Sequence, residues 1–576
     1  MRSLPLVLCK LAVTAALVLT PLTAVPAAAT QPQPPPATAA GGTYRVLPGK
    51  AAKLDPTAPT QSPATISQRS RGTRTAAGTA KLTLRHLDRT GALAPGAQTA
   101  LASLDGSVNT PIEVGTGEVS VELPVGRYVV VSLQRTGEST TLLVQPLLDL
   151  TADTTATLDA RRAEPLDVTV DDPTVASAAS ALYFARRMDD GTTIQFDLYA
   201  GPVDQLLAGH VGPAVPAAEL TSSLVSYWAV PGPAGDFANS PVSYNTLDTV
   251  REGEFFTGHQ RLVRKAEMAA LVSRLSTTAP GLSLNKSVTV LAPGMFGAWG
   301  RGLPRTGPGT VTEYVEAGAE LFGNFQERTA GPDSQLVTAL DWPASRTFEA
   351  GRSYDFSWNQ AVLGPRVREG SATRYGDVLG TGIVMYNDAA GNAGWGVDDA
   401  VATRLYRDGK LIAESGRPGD IGRGVEMGPG PATFRLEGEI DRPDATRRST
   451  TIKAAWTFRS DTASESGEAL PLWSVQFQPE VDQTNVATAT RVTKLPLTVT
   501  SQPGAKVGRM KLPEVELSGD GGKTWRRVGV VATGGDNYLA VGATPLPAKT
   551  ISLRVKAADS HGNTLEQTIT DAYGLR

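Results

Sequence analysis

The residues whose types and spacing could do chemistry fall into a few short groups. Ser283-Leu284-Asn285-Lys286 matches Ser-x-x-Lys, in which a lysine one helical turn away activates a nucleophilic serine. That chemistry needs a helix. Here Leu282, Leu284 and Val288 follow a strand-like pattern, and the companion Ser-Asp-Asn and Lys-Thr-Gly motifs are missing. A strand is therefore expected. The four histidines are His86, His210, His259 and His561. No two stand at metal-ligand spacing, and His-Glu-x-x-His is absent. His86 is expected on the polar face of its strand and His561 in an Asp-Ser-His-Gly-Asn turn, both solvated.

The segment from Asp388 to Asn392 and the pair Asp398-Asp399 are oxygen-rich turns of the kind calcium favours. Neither has the spaced ligands of an EF-hand, so turn chemistry is the expectation. Gly380-Thr381-Gly382 lacks the third glycine and following helix of a nucleotide fingerprint. Ser518-Gly519-Asp520-Gly521-Gly522-Lys523-Thr524-Trp525 fits the Asp-box pattern. Short Ser and Asp side chains bond the turn backbone, glycines take positive φ and tryptophan packs beneath. One copy reads as a structural turn. Trp299, Trp342, Trp358 and Trp395 lie in or beside loop-like stretches, where they serve as core anchors or as a platform for sugars or peptides. Acidic residues are scattered, and a glycosidase pair is not legible. No catalytic, cofactor-binding or metal-ligating set is assigned, and no cofactor is expected.

The elements that would position these groups are strands. Leu82 and Leu84 alternate in Lys81 to Leu87, and Val119, Val121 and Leu123 alternate after them. Tyr128 to Leu133 is a β-branched run suited to a buried strand. Leu166, Val168 and Val170 alternate, and Thr193 to Tyr199 is another candidate. Arg261 to Leu275 reads as a short helix, because Leu262, Ala266, Ala270 and Leu271 fall near helical spacing. Later candidates include Tyr354 to Trp358, Gly382 to Tyr386, Thr403 to Tyr406, Thr433 to Leu436, Thr451 to Phe458, Ser474 to Phe477, Val515 to Leu517 and Ile551 to Lys556. Short strands with Gly/Pro/Asp punctuation point to an all-β chain of tandem β-sandwiches, immunoglobulin-like and jelly-roll-like. Leu123-Pro124-Val125-Gly126-Arg127-Tyr128 between two strands resembles prealbumin-like β-sandwich modules of secreted bacterial proteins.

Compartment follows from the ends and the composition. Arg2 and Lys10 precede an apolar run from Leu11 to Leu22, and Ala27-Ala28-Ala29 supply a cleavage site, so residues 1–29 read as a signal peptide. Cys9 is the only cysteine and departs with it, leaving no disulfide and no thiolate site. No later stretch is long enough to span a membrane. The formal charge of −3 lacks the basic stripe of a nucleic-acid binder, and Arg69, Arg71 and Arg74 sit in a linker background. Expected divisions are a Pro/Thr/Ala-rich linker at 30–78, a prealbumin-like sandwich at 79–162 and a β-rich domain at 163–279. A larger sandwich at 280–469 and a C-terminal sandwich at 470–576 follow. A short strand at Tyr44 to Leu47 is also expected.

Several stretches carry a resemblance. They are Leu148-Asp149-Leu150-Thr151 through Leu158-Asp159-Ala160-Arg161, Thr403 to Leu411, Phe434-Arg435-Leu436 and Ser449 to Ser460. Ser518 to Trp525, Ser552 to Asp559 and Asp571-Ala572-Tyr573-Gly574-Leu575 complete the series. In that order they resemble the C-terminal accessory region that follows the catalytic domain in large subtilisin-like serine proteases of actinomycetes. The Gly-Thr-Ser-Met-Ala-x-Pro, His-Gly-Thr and Asp-Ser/Thr-Gly blocks of the protease are absent, so no triad carries over. The resemblance implies secretion and β architecture. The expected function is a non-catalytic binding or accessory module for an extracellular polysaccharide or protein. A secreted hydrolase with a motif-less carboxylate site and a structural cell-envelope component stay open beside it.

Overall fold

A computed structural model describes residues 78–250, 253–292, 300–331 and 333–576. The leader, most of the linker, the Tyr44 to Leu47 strand, the Arg69/Arg71/Arg74 cluster and Trp299 lie outside the described residues. Within them the chain is all-β, built as tandem β-sandwiches; the helical pieces are 3-10 turns of three residues. No described helix is long and apolar enough to cross a membrane.

Alternation builds the first sheet. Thr79–Leu87 pairs antiparallel with Glu118–Pro124 and parallel with Thr154–Asp159. Its Ala80, Leu82 and Leu84 point inward. A second, seven-stranded sheet lies beneath and includes Ala97–Ser103, Gly126–Thr136, Ser139–Leu150 and Leu206–His210. Here the strands are apolar on both faces: Gly126–Thr136 buries seven consecutive residues. Tyr128 and Val130 pack toward the first sheet, while Val129, Val131 and Leu133 pack toward a third. Doubly buried strands read as continuous β-branched runs for this reason.

The third sheet repeats the device. Its strands include Ala176–Arg187, Leu220–Ala229, Val242–Val250, Gly309–Glu316, Met268–Leu275 and Ser353–Trp358. Leu182, Phe184 and Leu224 face the second sheet, whereas Ala181, Tyr183 and Val225 face a fourth. The fourth sheet contains Leu303–Arg305, Ser283–Leu291, Glu320–Arg328, Leu336–Asp341, Ala393–Gly396, Val384–Asn387 and Gly364–Arg366. Four sheets thus form one stack with three apolar layers between them. The rest of the chain folds around one further core under a twelve-stranded and a four-stranded sheet.

The expected boundaries do not separate sheets. Leu206–His210 pairs with Thr140–Val144 across 162/163, Met268–Leu275 pairs with Gly309–Glu316 across 279/280, and Thr451–Thr457 pairs with Thr564–Thr570 across 469/470. The sequence punctuation marks turns, and strand partners come from beyond them. The helix expected at Arg261 to Leu275 is not formed. His259–Val263 and Met268–Leu275 are strands joined by a single 3-10 turn at Lys265–Glu267. Ala269, Leu271, Ser273 and Leu275 are buried at period two, and that alternation wins over the coincidental helical spacing.

A buried polar knot joins the stack to the C-terminal region. Glu327, fully buried, accepts from Thr277 Oγ1 (2.8 Å), Thr278 N (2.6 Å), Thr278 Oγ1 (2.6 Å) and Asn359 Nδ2 (3.1 Å). Asn485 Nδ2 donates to the carbonyls of Thr277 (3.0 Å) and Asn359 (2.9 Å). A buried carboxylate is tolerated when donors surround it in this way.

Candidate binding surface

The Ser-x-x-Lys residues lie on the strand Ser283–Leu291, as the pattern predicts. Alternation sends Lys286 into the layer between the third and fourth sheets, where Nζ meets Glu313 Oε2 at 2.9 Å and donates to the Ser287 carbonyl at 2.9 Å. It stands 4.7 Å from the Trp358 ring centre. Lys286 is thereby committed to a structural ion pair, and burial lowers its pKa against the pull of Glu313.

His86 departs from expectation. It is buried and shares a 2.7 Å hydrogen bond with the Thr99 hydroxyl. Residues 82, 84 and 86 share one phase of a period-two strand, so His86 lines the core with Leu82 and Leu84. Burial pushes its imidazole down to about 4. His259 Nε2 lies 2.9 Å from Asp248 Oδ1, His210 accepts from the Phe255 amide (3.0 Å), and His561 is exposed in its turn.

The acidic turns spend their oxygens on neighbouring protein donors. Asp388 Oδ1 accepts the Asn392 amide (2.9 Å), and Oδ2 accepts Asn359 N (2.9 Å) and Asn392 Nδ2 (2.7 Å). Complete burial raises Asp388 to about 6 despite those bonds. Asp398 takes the Tyr386 hydroxyl. In the Asp-box, Asp520 collects Ser518 Oγ (2.7 Å), the amides of Lys523 (3.1 Å) and Thr524 (2.9 Å), and Thr524 Oγ1 (2.6 Å). Gly521 and Gly522 take φ of 71° and 86° there, and Arg554 stacks 4.5 Å from the Trp525 ring.

The tryptophans divide. Trp342 and Trp358 are fully buried between the third and fourth sheets, as core anchors, whereas Trp395 is 50% exposed on the fourth. The pairing places Trp395 in a definite setting. Trp395, Ala339, Gln326 and Asn285 form one cross-strand row, and Ala393, Asp341, Asn324 and Ser287 form the next. Side chains directly opposite one another share a face. The inward face carries Val288, Leu321, Phe325 and Leu340, so the two rows lie on the opposite face. There Trp395 is exposed, Asn285, Asn324, Gln326 and Ala393 are half-buried, and Ser287, Ala339 and Asp341 are buried. Asn324 Nδ2 donates to Asp341 Oδ1 at 2.6 Å, and desolvation raises Asp341 to about 6. An exposed aromatic on the same face as half-buried amides can stack a flat apolar surface and exchange hydrogen bonds with hydroxyl groups. Sequence reading missed Asn285, Asn324, Gln326 and Asp341. The alternation of Asn324 and Gln326 with Gly323, Phe325 and Glu327 was the available signal.

No family model matches the chain, and no curated protein matches it. Solved structures overlap only loosely. The Bacillus anthracis TIE protein is 12% identical at a TM-score of 0.11, over 49% of this chain and 50% of that one, so the overlap spans about half of its length. Sidekick-1 immunoglobulin domains 1-5 are 10% identical (TM-score 0.12; 83% and 93% covered). The human Desmocollin-1 ectodomain is 9% identical (TM-score 0.12; 86% and 97% covered). The description as tandem sandwiches rests on the chain's own strands.

Proposed function

We propose that this protein is a secreted, non-catalytic binding module that holds a hydroxyl-rich extracellular polymer on the outer face of its fourth sheet. One observation carries the reading: half-exposed Trp395 stands on the same face of the fourth sheet as the half-buried amides of Asn285, Asn324 and Gln326. Strands fix the spacing of those groups, so they need little ordering on binding. The signal-like residues 1–29 support delivery outside the cell. The likeness to accessory regions of subtilisin-like proteases supports a role beside a secreted hydrolase.

The test is retention of the chain from residue 30 onward on insoluble chitin, cellulose and cell wall, with casein as a protein control and product release measured throughout. Retention on one polysaccharide is expected, with no product. Trp395→Ala lowers that affinity about tenfold, the equivalent of about 1.4 kcal/mol. Equal retention of wild type and variant overturns the assignment of this face. Product release that Asp341→Asn abolishes moves the protein to the hydrolase class.

A further inference from the structure

A second site lies inside the stack, at the edge where the third sheet meets the fourth. Ser243 and Asn245 reach it from Val242–Val250, Glu313 and Val311 from Gly309–Glu316, Lys286 from Ser283–Leu291, and Arg305 from Leu303–Arg305. Parallel pairing sets Ser243 directly beside Glu313, and antiparallel pairing sets Lys286 beside Leu303. Together with Arg301 and Ser240 they enclose a small cavity, about 10 Å³, with room for one water-sized group.

Its charges do not cancel within the protein. Three cations line it, Lys286, Arg301 and Arg305, against the single carboxylate of Glu313. That carboxylate is already taken: it holds Lys286 Nζ at 2.9 Å and accepts from Ser273 Oγ at 3.0 Å. Neither arginine joins a carboxylate ion pair among the described residues. Arg305 gives Nη1 to the Ser240 carbonyl at 2.8 Å, while its Nε is buried without a hydrogen-bond partner. Arg301 stands at the solvent side, its charge opposed by desolvation and eased by the Tyr227 phenol. A desolvated guanidinium with a spare donor costs free energy unless an acceptor meets it.

We propose that this cavity binds a small monovalent anion, a halide or the carboxylate head of a small organic acid. Arg305 Nε donates to it from the wall, and Arg301 covers it from the mouth. Volume sets the class: a single water-sized chamber excludes phosphate and sulfate, and an organic acid enters it only with one carboxylate oxygen while the rest of the molecule lies in the mouth. The inference stands apart from the polymer-binding reading: Asn285 and Ser287 point to the outer face, Lys286 to the inner one.

The test follows thermal unfolding of the whole protein at constant ionic strength, set with sodium methanesulfonate, while sodium chloride or sodium acetate replaces it. A saturable rise in Tm is expected, because a ligand of the folded state alone stabilises it by mass action. The rise disappears in Arg305→Gln and needs at least tenfold more anion in Arg301→Gln. Chloride line-width measurements on the folded protein read the same binding without unfolding it, should Arg305→Gln fold poorly. A response to chloride alone, or to acetate alone, supports the site and names its source. No saturable response to either anion, or an unchanged response in both variants, overturns it.

Discussion

Acidification tests the strand phase of His86. In the folded chain this imidazole is buried between Leu82, Leu84 and neighbouring strands, bonded to the Thr99 hydroxyl and held neutral down to about 4, against 6.5 in the unfolded chain. The unfolded state therefore binds the proton first. A depressed folded pKa means that the contribution to stability is complete above pH 6.5 and is lost as pH falls through about 4. The whole fall corresponds to about 3 kcal/mol, at about 1.4 kcal/mol per pH unit, and the part between pH 7 and pH 5 to about 2 kcal/mol. Two measurements check this. Labelled imidazole carbons give four signals, one of which should titrate near 4. Urea unfolding of the transition that includes residues 79–163, at pH 7 and pH 5, should show a drop in wild type that His86→Leu reduces by about 2 kcal/mol. A His86 signal, identified by its loss in His86→Leu, that titrates near 6.5, or an identical pH dependence in the variant, refutes the core placement of His86.

Two further outcomes follow from the layer between the third and fourth sheets. Lys286→Met leaves Glu313 buried without its cation and should cost about 3–5 kcal/mol by denaturant unfolding, whereas the double change Lys286→Met, Glu313→Leu should recover most of it. Gly323 lies under Trp342, where an added Cβ would stand 2.6 Å from the indole; Gly323→Ala should destabilise the fold by about 1–3 kcal/mol in denaturant unfolding, and a smaller aromatic at 342 should relieve it.

The strands were legible because alternation is local. Lys81 to Leu87, Leu166 to Val170, Thr451 to Phe458 and Ile551 to Lys556 all appear where period two places them. Phase was harder. His86 was expected on the polar face of its strand, yet the buried stripe runs through 80, 82, 84 and 86. Partnership was not legible. Nothing local to Leu206–His210 says that it pairs parallel with Thr140–Val144, because that choice is settled by burial on two faces at once. The candidate surface was half legible. Trp395 stood out by type, but its exposure, and the burial of Trp342 and Trp358, depend on which sheet covers them. The Asn and Gln side chains beside it gain meaning only from cross-strand register.

The sharing of sheets governs how this chain can be divided. A cut at 162/163 takes Leu206–His210 from Ser139–Leu150, one at 279/280 takes Gly309–Glu316 and Ser353–Trp358 from Met268–Leu275, and one at 469/470 parts Thr451–Ser460 from Thr564–Leu575. Each leaves a raw strand edge of unpaired amides and carbonyls, a template for aggregation. Recombination at these joints would thus be penalised in both products. The stack is expected to express and fold only when it is kept whole.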